Sequence, residues 1–156
     1  MNEDQNLAAR FAVQEVVQLT STLLDSEDFD GWLSLFENAG EYCLEAYSTE
    51  LRNMTVWWQA DRATLAKQLK EVNQHVRDPA GRLHLVGPSS VTIEGERALA
   101  RSSFAVFRST PAGETSLYMV GRYDDVLRFT SGGWLYVRHK VISETRVLET
   151  LTHVPI

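Results

Sequence analysis

A single cysteine, Cys43, is the only thiol in this chain. That excludes an intramolecular disulfide. It also excludes a thiolate zinc site or an iron–sulfur cluster held within one chain, since even a Rieske centre needs two cysteines with two histidines. The four histidines, His75, His84, His139 and His153, stand in none of the HxH, HxxxH or HxxE spacings that a helix or strand turns into a metal site. Glycine-rich phosphate loops and the GxSxG elbow are missing. Positive charge is scarce too: 15 Lys and Arg face 21 Asp and Glu, a net charge of −6. Nucleic acid is therefore a poor partner, because phosphate binding needs a basic footprint. No apolar run approaches the roughly 20 residues of a membrane span, and the opening MNEDQNLAARF lacks a signal-peptide pattern. These absences predict a cytoplasmic chain with no cofactor of its own and no nucleic-acid or membrane partner.

What is present is ordinary for a soluble globular protein: 44% hydrophobic and 23% charged residues over 156 positions. No linker or repeat divides the chain, so residues 1–156 read as a single domain. A domain of this size buries roughly two-thirds of its unfolded surface, enough for a core without staples.

From Leu7 to Leu24 apolar residues fall near helical spacing at Phe11, Val16, Leu19 and Leu23. Phe29, Trp32, Leu33 and Phe36 make a second, short amphipathic helix, with Asn38-Ala39-Gly40 as its stop. EYCLEAYS (41–48) reads as a first strand, with Tyr42, Leu44 and Ala46 on one face and Cys43 on the other. TVWW, within 49–60, fits either a short strand or a covering loop. Asp61 is a good N-cap for a helix carrying Leu65, Leu69, Val72 and Val76. Four long runs follow at 82–94, 97–110, 115–129 and 134–147, divided by Glu94-Gly95-Glu96, Thr110-Pro111-Ala112-Gly113 and Ser131-Gly132-Gly133. Such separators join antiparallel neighbours. Alternation puts Leu117, Met119, Tyr123, Leu127 and Phe129 on one face and Arg122, Asp124 and Arg128 on the other. Across the turn, Leu135, Val137, His139 and Val141 oppose Trp134, Tyr136, Arg138 and Lys140. Charges on such a face are usually solvated and paired across strands. The order predicts an α+β fold, N-terminal helices packed on a curved, mainly antiparallel sheet. It matches the cone of nuclear transport factor 2 and its cystatin-like relatives.

Several stretches taken in order carry a closer resemblance: LLDSEDFDGWLSLFENAGEYCLEA (23–46), RLHLVG (82–87), SSFAVFRS (102–109), GRYDDVLRF followed by GWLYVRHKV, and VLETL. Together they resemble the β (small) subunits of aromatic-ring-hydroxylating dioxygenases. The compact 61–90 region and the VWW segment look most like subunits paired with oxygenases of aromatic carboxylates. The chain departs from the family in lacking a Pro- and Ser-rich segment before the Arg-x-His strand. The resemblance implies a structural subunit of an oxygenase that hydroxylates aromatic compounds in their catabolism. Within a hetero-hexamer, a β homotrimer would sit beneath a trimer of large α subunits, which hold the Rieske 2Fe–2S cluster and the mononuclear iron. No catalytic residue is then expected here, and some of Arg122, Arg128, Trp134, Tyr136 and Arg138 are expected at a subunit interface, where Arg and aromatic residues are enriched.

A rival with chemistry in it uses the same cone as a stand-alone isomerase, dehydratase or small-ligand binder. Its raw materials are His84, Tyr42 and Asp30, with Tyr118 or Tyr123. His84, between Leu83 and Leu85, is the best placed to face inward. A lone strand histidine is more often structural, and Asp30 lies in DSEDFD, where a capping or solvated role is simpler.

Overall fold

A computed structural model describes residues 2–72, 78–150 and 152–156. Helix α1 (Glu3–Asp25) starts at a capping box: the Gln5 N–H donates to Asn2 Oδ1 at 2.8 Å and the Asn2 N–H to Gln5 Oε1 at 3.0 Å. Its buried stripe is Val13, Val17, Thr20, Ser21 and Leu24, a 3.6-residue repeat. Leu7, Phe11 and Leu19 share the helix but lie on its solvent side, while Val16 and Leu23 pack partly against the core. Apolar residues wrap more of this helix than the sheet beneath it can cover.

Helix α2 (Phe29–Ser34) is capped by Asp28, whose Oδ1 accepts from the Gly31 N–H at 2.9 Å. It buries Trp32 and Leu33 and ends earlier than Asn38-Ala39-Gly40 suggests. Those three residues belong instead to strand β1 (Phe36–Ser48), whose pairing slips between Phe36 and Glu41. Gly40 is required there: a Cβ would come within 2.7 Å of the Tyr136 carbonyl oxygen. The VWW segment is a strand, β2 (Asn53–Asp61). Asp61 caps α3 (Arg62–Glu71), accepting from the Thr64 N–H at 2.8 Å, and the helix buries Leu65 and Leu69, with Val72 at its end. Val76, expected on the same face, lies outside the described residues.

The run 82–94 forms two strands, β3 (Gly81–Val86) and β4 (Ser90–Glu94), because Pro88 has no N–H to carry the ladder through. Both lie along the long strand β5 (Arg97–Ser109), followed by β6 (Thr115–Thr130) and β7 (Gly133–Ser143). The sheet runs β2-β1-β7-β6-β5-β3, with β4 beside β5. All its pairs are antiparallel except β1 with β7, which is parallel. The helices cover one face, and the core of Trp32, Phe36, Tyr42, Leu44, Leu65, Met119, Leu127 and Tyr136 fills the space between.

One irregularity changes which residues reach that core. Leu127 pairs with Tyr136 but Val126 pairs with Arg138, leaving Val137 as an extra residue in β7. A bulge of this kind exchanges the two faces of a strand beyond it. Trp134 and Tyr136 therefore point inward before the bulge, and His139, Val141 and Ser143 after it. Strict alternation had placed the first two with Arg138. A second bulge, between Val106 and Phe107 of β5 and their partners, leaves Leu117 exposed although Met119 is buried. Phe129 is also exposed, at the end of β6, against Trp134.

Candidate functional site

Two histidine–carboxylate pairs are built into the space between helices and sheet. Asp25, the last residue of α1, reaches strand β3, where it accepts the His84 backbone N–H at 3.0 Å and sits 2.5 Å from His84 Nδ1. Asp125 on β6 and His139 on β7 form the second pair, Oδ1 to Nδ1 at 2.7 Å, and both are wholly buried. An imidazole that turns Nδ1 to a carboxylate leaves Nε2 free for another partner. Among the described residues neither His84 Nε2 nor His139 Nε2 meets a hydrogen-bond partner, and Asp125 Oδ2 and the Tyr123 hydroxyl are likewise orphaned. Buried polar atoms of this kind are uncommon in proteins.

Aromatic rings enclose the inner pair. His139 lies 4.8 Å from Tyr123, 4.9 Å from Tyr136 and 5.8 Å from Tyr42, ring centre to ring centre. Tyr123 stacks on Phe104 at 4.5 Å. Burial pushes the Tyr123 phenol well above its ordinary pKa, and the nearby Tyr42, Asp125 and Asp25 act in the same direction. Burial also raises Asp125, with His139 and the Lys140 backbone N–H opposing. Tyr42 and Tyr136 are raised by burial as well, although Tyr136 is bonded to Thr20 Oγ1 at 2.9 Å and Tyr42 accepts the Ile156 N–H at 3.1 Å.

At the rim, a cleft of about 280 Å³ is lined by Leu24, Asp25, Asp78, Arg82, His153 and Val154, among others. Arg82 lies 4.6 Å above the Tyr118 ring and donates to Thr152 Oγ1 at 3.2 Å. Asp78 is clamped by Arg108 through bonds of 2.6 and 2.7 Å, which hold its carboxyl at a pKa of about 2.

His84 and Tyr42 face inward, where the sequence places them. Asp30 does not: it is exposed on α2, and the carboxylate that meets His84 is Asp25, five residues earlier. Asp125 joins the site unannounced. Its odd-numbered position on β6, in phase with Tyr123 and Leu127, is the one signal that points to it. Of the interface candidates, Tyr136 and Trp134 are core residues, for the reason given by the β7 bulge, and offer no surface. Arg122, Arg128 and Arg138 are exposed. Arg122 pairs with Glu144 at 2.5 Å, Arg128 lies 3.4 Å from Glu37, and Arg138 stands opposite Glu41. Arg101 and Asp124 pair across β5 and β6 at 3.1 Å. Among the described residues no three His, Cys, Asp or Glu side chains converge to hold a metal. His75 lies outside those residues. No described helix is long and apolar enough to cross a membrane.

Comparison with known proteins matches residues 5–140 to the SnoaL-like domain family. The chain is 33% identical over 148 residues to the β subunit of 2-aminobenzenesulfonate 2,3-dioxygenase of an Alcaligenes species, covering 93% of this chain and 97% of that one. It is 29% identical over 155 residues to the hydroxylase β subunit of methanesulfonate monooxygenase of Methylosulfonomonas methylovora, covering 93% and 86%. Among solved structures, a Novosphingobium aromaticivorans protein assigned as the β subunit of an aromatic-ring-hydroxylating dioxygenase superposes with a TM-score of 0.85. It is 24% identical, over 96% of this chain and 98% of that one, a likeness of fold.

Proposed function

We propose that this chain, which belongs to the SnoaL-like domain family and within it to the oxygenase β subunits, serves by assembly, gripping its neighbours through the outer face of its sheet. Its role is structural, and the chemistry of oxygen belongs to a larger α subunit carrying the Rieske cluster and the mononuclear iron. The donor set here does not suit either group: there is one cysteine where a Rieske cluster needs two, and among the described residues no three His, Cys, Asp or Glu side chains converge on one point. The two relatives are named for an aromatic and an alkyl sulfonate, so the expected substrate widens from aromatic carboxylates to small organic acids.

The observation that carries this reading is a pair of unlike apolar patches at opposite ends of the sheet. At the β3 end, register aligns Leu83, Phe107 and Leu117 in one row and Leu85, Ala105 and Val120 in the next. Leu83, Leu85 and Leu117 are 55, 56 and 54% exposed. At the β2 end, Leu51, Met54, Val56 and Trp57 are exposed. Contiguous exposed apolar surface marks an interface. Two different patches on one chain suit head-to-tail contacts, which close into rings. A trimer of this chain, seated against three large subunits, uses both.

The test is the mass of the complex formed when the chain is co-expressed with the large oxygenase subunit of the same source. A hetero-hexamer is expected, reduced to separated chains by Leu83→Asp with Leu117→Asp, both at positions where charge is compatible with the monomer fold. Monomeric wild-type protein, or assembly unaffected by the double substitution, overturns the reading.

A further inference from the structure

The two ends of the sheet are finished differently. At one end helix α1 meets the edge: Asp25 accepts the His84 N–H of β3 at 3.0 Å, and Gln14 Nε2 donates to the Ser89 carbonyl beside β4 at 2.8 Å. Strand β2, at the other end, has no such cover. It pairs with β1 alone, and among the described residues no other backbone hydrogen bond reaches it. We propose that this open edge receives an extended segment of the large subunit as an added strand. The site presupposes the assembly proposed above and specifies how the large subunit is held.

An open edge is a row of unpaired N–H and C=O groups, which proteins usually blunt with lysine, proline or a covering element. From Asn53 to Ala60, β2 uses none of these. The stretch NMTVWWQA has no charge and no proline, and Asp61 after it serves as the cap of α3. Its one safeguard is a bulge: Leu44 pairs with Trp58 and Glu45 with Val56, leaving Trp57 extra. A bulge twists the edge, which resists indiscriminate pairing and favours a segment shaped to it.

Added strands draw affinity from main-chain bonds and specificity from pockets for alternate side chains. Such pockets adjoin β2. Grooves of about 310 and 420 Å³ share Trp57 and Arg146, with Leu51 and Val147 in the first and Leu148 in the second. Thr55 and Trp58, opposite the inward Ala46 and Leu44, put both grooves on the helix-bearing face, away from Met54 and Val56. Arg146 is tied to the β1–β2 turn through Thr49 and Glu50, so its charge is already answered. The grooves therefore suit uncharged, apolar side chains at every second position of the incoming segment. A head-to-tail copy of this chain has no matching edge to offer, because its β3 end is covered by α1. A β2-to-β2 contact is two-fold and closes no three-membered ring. The large subunit is the remaining occupant.

The experiment turns on Met54, whose N–H donates to the neighbouring Asn53 side chain at 2.8 Å. Met54→Pro deletes that N–H from the edge, whereas Met54→Ala deletes the side chain and keeps it. Purified large subunit of the same source is titrated against each immobilised variant. Met54→Pro is expected to weaken binding at least tenfold, and Met54→Ala less than about threefold. Should Met54→Pro fail to fold, hydrogen exchange of the wild-type chain decides: edge amides within 53–60 should exchange at least tenfold slower in the complex than in the free chain. Equal effects of the two substitutions, or unchanged exchange, overturn the added strand while an intact wild-type complex leaves the assembly standing. A wild-type chain that binds no large subunit overturns both.

Discussion

Asp125 and His139 show how much of this protein's stability is concentrated in single contacts. Each is wholly buried and each is the other's side-chain hydrogen-bond partner. Removing Asp125 leaves the buried His139 Nδ1 without its partner, which costs more than the net worth of the bond itself. Asp125→Ala should lower unfolding free energy by about 2–4 kcal/mol, and Asp125→Asn, which can still accept from Nδ1, by less than half of that, measured by urea titration. Tyr123→Phe should do the reverse and stabilise by roughly 1 kcal/mol, since it deletes an orphaned hydroxyl from an apolar wall. Asp78 provides the acid sensitivity. Arg108 holds its carboxyl at about 2 against an ordinary 3.8, so the unfolded chain takes up a proton first as pH falls. The stabilisation is complete above pH 4 and fades as pH drops toward 2, by roughly 1–2 kcal/mol. Asp78→Asn should flatten that part of the stability curve and leave no further loss between pH 4 and 2 attributable to this site.

At the scale of elements, the close approach of β6 to β7 is set by Gly121. A Cβ there would lie 2.2 Å from the Ile142 carbonyl oxygen and 3.0 Å from the Phe104 ring. Backbone cannot swing aside as a side chain can, so Gly121→Ala should destabilise by more than about 2 kcal/mol. Gly81→Ala, where the new methyl meets open space, should stay within about 0.5 kcal/mol, both read from thermal melts. Much of the element order was legible because it rests on local chemistry: the cap at Asp61, and the turns at Gly95 and Gly133, whose positive φ favours glycine. The bulge at Val137 was not, since nothing in GWLYVRHKV distinguishes an extra residue from a regular strand, and it reversed the faces of Trp134 and Tyr136. Asp125 was legible by period two, but its charge argues for solvent, and only His139 across the ladder makes its burial tolerable. Asp25 was obscured differently. It ends a helix in an acidic run, and its partner His84 is 59 residues away, a separation that local pattern does not report.

Across the whole molecule, the two faces of the sheet divide the labour. The inner face carries histidines, tyrosines and buried carboxylates, while the outer face carries matched charges and two apolar patches. The matched charges contribute little to affinity when exposed but penalise a misaligned neighbour. On the proposed assembly, the apolar rows would supply the burial that holds copies together. Charge reversal at Arg122 alone, already paired with Glu144, should therefore slow assembly and increase its salt dependence without abolishing it, whereas acidic residues in the Leu83–Phe107–Leu117 row should abolish it. The most direct measurement of the central claim is native mass spectrometry of this chain purified after co-expression with the large subunit of the same source, followed by turnover assays on each fraction. The account predicts one complex with equal numbers of both chains, three of each, active only when both are present. Recovery of this chain as a lone monomer that transforms the substrate unaided would contradict it.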